Sequence, residues 1–108
     1  MAVVVAAVAA VSVAAAAARE LAHRAPAELD SRTVVIGYDR RFLAPELAEA
    51  IAAAVHGCEL EPLLTESPVP TPACSWAVVE RKALGALVIT ASHNPAEWLG
   101  LKIKGPFG

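Results

Sequence analysis

Apolar positions along the chain fall into blocks whose period changes from helical to strand-like and back. Residues 1–18, "MAVVVAAVAAVSVAAAAA", contain no charged side chain. Val4, Val8, Val11, Ala15 and Ala18 lie on one stripe at helical spacing, and alanine is the best helix former. The pattern predicts a buried helix running to about Arg24 and stopping before Pro26. Two other readings compete for this segment. A secretory signal needs a basic start, which Met1-Ala2-Val3 does not supply. A membrane span needs roughly 20 apolar residues, and most of those here are weakly lipophilic alanines.

Residues 25–32 are polar and read as a connector. "TVVIGYD", Thr33 to Asp39, is a β-branched run and predicts a buried strand. Pro45 suits a first helical position, with Glu46 and Glu49 in the early turns where carboxylates favour the helix dipole. Leu47, Ile51 and Val55 form its apolar stripe, and Gly57 ends it. A weaker strand is expected over 59–65, which Pro62 would confine to an edge or shorten. "ESPVPTPA" is a proline-stiffened loop, with Thr71-Pro72 as cap and first-turn proline of a helix from Ala73 to about Lys82. "GALVIT", residues 85–90, is continuously apolar and predicts a central strand. In "GLKIKG" the residues alternate, Leu101 and Ile103 on one face, Lys102 and Lys104 on the other. The alternation of elements predicts an α/β protein, a three-layer α/β/α sandwich on a mixed, mostly parallel sheet.

With 108 residues the chain is one domain at most, small for a complete metabolic enzyme, so a fragment is expected. Nine basic and eleven acidic side chains leave a net charge of −2, which gives no reason to expect nucleic acid or an anionic membrane as partner. Cys58 and Cys74 have no CxxC spacing and are expected as reduced thiols in a cytoplasmic protein. His23, His56 and His93 do not pair with them at zinc-ligand spacings.

Chemistry concentrates where two strands end. In open α/β sheets ligands bind beyond the carboxyl ends of the strands. One strand runs into Asp39-Arg40-Arg41 and the other into Thr90-Ala91-Ser92-His93-Asn94. If the two are parallel neighbours, both clusters share one rim. A serine hydroxyl in a tight loop beside a histidine and several cations suits a carrier of a phosphoryl group, whose oxygens the cations would neutralise. Simpler readings stand beside this one. Ser92 suits a plain turn, since Asn94-Pro95 is a common turn pair. Arg40-Arg41 suits a solvated surface, His93 a hydrogen-bonded loop residue, and Lys102 and Lys104 the wet face of an edge strand.

"ITASHNP" followed by "GLKIKGPFG" resembles the active-site serine loop of the α-D-phosphohexomutases, the phosphoglucomutase and phosphomannomutase family. "VVIGYDRRFLAPELAEAIA" is similar to that family's first-domain strand and helix, and "PVPTPACSWAV" to its proline loop and following helix. The likeness spans residues 33–108, and the serine loop is its most specific part. It implies that Ser92 is phosphorylated in the active enzyme and passes its phosphoryl group between the 1- and 6-positions of a hexose phosphate, through a hexose bisphosphate. One oxygen of the phosphoserine would ligate Mg²⁺, with the remaining ligands outside the chain. His93 would contact substrate or orient the loop, Lys102 would act as general acid/base or charge stabiliser, and Arg41 would support the phosphoserine. Three departures stand out. Leu99 occupies a position where the family usually has asparagine. The family's Gly-Thr-x-Gly-x-Arg first strand is absent, and so is an Asp-Gly-Asp-x-Asp metal loop. The chain is therefore expected to be a partial first domain over 1–108, lacking that first strand and domains II–IV. The rival reading is a non-catalytic remnant that binds phosphate or a protein partner.

Overall fold

The computed structural model describes residues 2–6, 9–38, 45–65, 70–90 and 98–107. Five strands and three helices follow one another as β1 (Ala2–Ala6), α1 (Ala10–His23), β2 (Thr33–Tyr38), α2 (Pro45–Gly57), β3 (Glu61–Leu64), α3 (Thr71–Arg81), β4 (Gly85–Thr90) and β5 (Trp98–Lys104). They form one sheet in the order β1-β5-β4-β2-β3. β2 pairs in parallel with β3 and β4, whereas β5 is antiparallel to both β4 and β1. Four strands thus run one way and β5 alone runs the other, the mixed and mostly parallel sheet that the alternating pattern predicts.

Side-chain alternation divides the core into two layers, because successive strand residues face opposite ways. Val34, Ile36, Leu87 and Ile89 pack with Leu99 and Leu101 against α1 and α2. Val35, Ala86 and Val88 face the other way and meet Cys74 and Val78 of α3. β2 and β4 are covered on both sides, which is why they read as unbroken apolar runs. The large apolar side chains there each contribute roughly 1.5–3 kcal/mol by leaving water. β3 is the outer parallel strand, as Pro62 requires.

The start of the chain departs from expectation. The helical stripe predicts a helix first; instead residues 2–6 are a strand, with Val3 opposite Leu101 and Val4 opposite Gly100 on β5. Three consecutive valines favour a pleated backbone over a helix, and β5 offers them a strand edge. The helix begins only at Ala10, and its buried stripe is Ala10, Ala14 and Ala18: Ala18 is buried as expected, while Ala10 and Ala14 take the places expected of Val11 and Ala15. Val4 is 62% exposed, outside any helical core. No helix among the described residues is long and apolar enough to cross a membrane.

Two boundaries differ in smaller ways. α3 starts at Thr71 after an extended Pro70, and no side-chain cap closes its start. Pro72 therefore lies in the first turn, where a missing N–H costs nothing. On α2 the buried stripe is Ala48, Ile51 and Val55, with Leu47 only partly covered. The turn after α2 places Glu59 at φ 63°, an unusual backbone for a residue with a Cβ. Arg32 clamps it: its Nε donates a 2.7 Å hydrogen bond to the Glu59 carbonyl, and a second guanidinium nitrogen donates to the same oxygen.

Candidate functional site

β2 and β4 are direct parallel neighbours, with Tyr38 opposite Ile89. Their carboxyl ends therefore lie side by side on one rim of the sheet. Residues 39–44 continue from Tyr38, and residues 91–97 connect Thr90 to Trp98. Antiparallel pairing of Thr90 with Gly100 closes the base of that second connection. The rim is firmly founded, since Tyr38 and Thr90 are both more than nine-tenths buried. β3 ends two residues short of that rim, its Leu64 opposite Ile36, and the Thr65 N–H donates to the Ile36 carbonyl at 3.0 Å.

Of the residues that carry the chemical expectation, Ser92, His93 and Arg41 lie outside the described residues, as do Asp39, Arg40 and Glu97. Lys102 is described. It sits in β5 between Val88 of β4 and Ala2 of β1, two residues inward from the Thr90–Gly100 pair. That is about 7 Å along the strand from the rim. Its face is that of Val88 and α3, opposite to buried Leu101. Lys104 follows on the same face, opposite Ala86. Both lysines are half-exposed, and neither forms an ion pair with a described residue. β5 is an inner strand, so the edge-strand alternative is corrected for Lys102, which has β4 and β1 on its two sides, whereas Lys104 pairs only with β4 among the described residues.

Other polar features lie away from this rim. The only ion pair among the described residues joins exposed Glu20 of α1 and Arg24, just past the end of that helix, at 2.5 Å, a type worth little in stability. Cys58 and Cys74 are free thiols. Cys58 packs on the α1/α2 side and Cys74 on the α3 side, so the sheet separates them and no disulfide can form between them. Burial pushes the Cys74 thiol above its ordinary pKa; at neutral pH it is a small apolar filler. Cys58 Sγ accepts a weak 3.5 Å hydrogen bond from Arg19. Among the described residues no three His, Cys, Asp or Glu side chains come together in a way that could hold a metal. Two apolar grooves, of about 380 and 420 Å³, lie elsewhere: one between α3 and the Pro106-Phe107 turn, the other between α1 and Ile103.

Leu99 has a packing explanation. It is 4% exposed and belongs to the α1/α2 core, so an apolar side chain there is stabilising. An asparagine would need a hydrogen-bonding partner at that position.

A layered α/β domain whose parallel strands end in a polar rim is a common frame for phosphate chemistry, and the comparison with known proteins makes the class specific. The chain belongs to the phosphoglucomutase/phosphomannomutase family: the model for that family's alpha/beta/alpha domain I matches residues 4–108. A phosphoglucomutase from Staphylococcus epidermidis is 37% identical over 87 residues, 81% of this chain and 16% of that protein. One from Staphylococcus aureus is 36% identical over 88 residues, 82% of this chain and 16% of the relative. A solved structure from Thermus thermophilus, assigned as a phosphomannomutase, superposes with a TM-score of 0.70 at 42% identity. That match covers 86% of this chain and 20% of the other. The chain thus spans about a fifth or less of the length of these relatives.

Proposed function

We propose that this domain is the phosphoryl-carrying part of a phosphohexomutase, with Ser92 as the residue that is phosphorylated. The observation supporting the reading is the rim itself: β2 and β4 end side by side, and the two chain segments that hold Arg41 and Ser92 continue from those ends. Lys102 is anchored on the adjoining strand.

In this reading Ser92 donates its phosphoryl group to one hydroxyl of a hexose phosphate. The resulting bisphosphate then returns a phosphoryl group from its other end, so the 1- and 6-phosphates interconvert. The chemistry asks for little beyond positioning and neutralisation of the equatorial oxygens. Arg41 neutralises the phosphoserine. Lys102 supplies a positive charge toward the transferring group or moves a proton at the sugar oxygen. His93 orients the loop or contacts substrate. Mg²⁺, when bound, would add charge neutralisation on the phosphoserine oxygens. Among the described residues no three His, Cys, Asp or Glu side chains come together; in this reading the carboxylate ligands of the ion come from outside the chain.

The test is a chimera in which residues 33–108 replace the matching segment of the Thermus thermophilus relative. The expected result is interconversion of hexose 1- and 6-phosphates and a stable phosphate mapped to Ser92. In the Ser92→Ala chimera the rate should fall by orders of magnitude, as when a covalent nucleophile is removed. Phosphate recovered on Thr90 or Ser75 instead, from a folded and active chimera, would refute the assignment.

A further inference from the structure

β1 ends the sheet on one side. Its inner edge is paired with β5, and its outer edge has no strand beside it among the described residues. Such an edge presents a row of backbone N–H and C=O groups ready for another strand. Natural edges are usually blunted by charge, proline or a bulge. β1, "AVVVA", contains neither charge nor proline. The other outer strand, β3, has both Glu61 and Pro62. The two edges of this sheet are therefore built differently, and only β3 carries the usual protection.

We infer that the outer edge of β1 pairs antiparallel with β1 of a second copy of this chain. The sequence of the strand suits itself. Centred on Val4, the two-fold register sets Val4 opposite Val4 of the other copy, and Ala2 opposite Ala6. The strand is a palindrome, so every position meets an equal one, and a two-fold contact of this kind closes at a dimer. No charge occurs anywhere in residues 1–18, so aligning two copies brings no like charges together. The net charge of −2 per chain adds only weak long-range repulsion. Val4, 62% exposed in the single chain, gains an equally apolar neighbour directly across the new pair. The inference is independent of the proposed phosphoryl chemistry, since β1 is separated from β4 by β5.

Sedimentation equilibrium on the 108-residue chain tests it. The expected mass rises with concentration from the 11.1 kDa chain toward twice that value. Val4→Lys puts like charges opposite each other at the two-fold. It should raise the dimer dissociation constant roughly tenfold or more, with the circular dichroism spectrum unchanged because the side chain is exposed. Val4→Thr, β-branched and uncharged, should retain the dimer. Trp76, 67% exposed on α3, marks the competing apolar surface, and Trp76→Ser should leave the constant unaltered. A wild-type chain that stays monomeric over the range overturns the inference. So does a Val4→Lys chain that dimerises normally, or a dimer lost in Trp76→Ser.

Discussion

At the scale of single residues, the tightest constraint is Gly85 at the start of β4. A Cβ built there meets the Lys104 backbone oxygen, and it lies only 2.9 and 3.0 Å from the two terminal carbons of Leu21. A leucine tip can turn away, but a carbonyl held in a paired strand cannot. Gly85→Ala should therefore lower unfolding stability by roughly 1–3 kcal/mol, the range for overpacked sites. Urea denaturation measures it, and an unchanged midpoint would mean that β4 and β5 separate more easily than their pairing implies. The same scale shows what holds the candidate cations. Lys102 and Lys104 alternate with Leu101 and Ile103 on β5; pairing with β4 sets the position of both lysines, and β1 adds a second neighbour at Lys102 only.

At the scale of elements, α1 is informative because its packing surface is almost bare. Ala10, Ala14 and Ala18 are 2%, 0% and 0% exposed and belong to the core cluster that α1 shares with α2 and the sheet. Larger side chains on its flanks, Val11, Val13 and Leu21, close the sides. Replacing Ala14 with leucine keeps good helix propensity but forces an isopropyl group into a filled layer. The expected loss is roughly 1–3 kcal/mol. Ala16→Leu, on the exposed side of the same helix, should change stability by no more than about 0.5 kcal/mol. Equal effects of the two in denaturant titrations would show that α1 does not pack by its alanine stripe. The prolines act at this scale as well, since Pro62 is tolerated because β3 has only one neighbour and Pro72 because it falls in the first turn of α3.

At the scale of the whole molecule, the radius of gyration is 12.5 Å, close to the ~13 Å of an independent 100-residue domain. Being compact is not being catalytic. Phosphoryl transfer needs a nucleophile, a cation and a held sugar together, and the chain matches only 16–20% of the length of its relatives. Holding the substrate can be worth roughly 7–11 kcal/mol of the barrier. The 108 residues on their own should therefore show no turnover of glucose 1-phosphate above a Ser92→Ala control, with bisphosphate and Mg²⁺ supplied. A coupled assay decides it, and measurable serine-dependent turnover would mean that these residues suffice for a working site.

Much of the architecture is legible along the chain because its signals are local. β-branched and apolar runs mark β2 and β4, prolines and glycines punctuate α2 and α3, and the alternation in "GLKIKG" places two lysines on one face. The serine loop is legible for a different reason, since its residue types and order are specific enough to identify a family without any fold. The first eighteen residues mislead because runs of alanine and valine carry both a helical stripe and strand-forming side chains. What separates the two is a distant partner: β5, nearly a hundred residues on, offers an edge that Val3-Val4-Val5 can pair with. Tertiary structure alone also sets β5 inside the sheet, turning a plausible wet edge into a flanked strand. It puts Cys58 and Cys74 on opposite faces and gives Leu99 a place in the core. Each of these depends on contacts between residues far apart in sequence, and no local pattern encodes which strand will lie beside which.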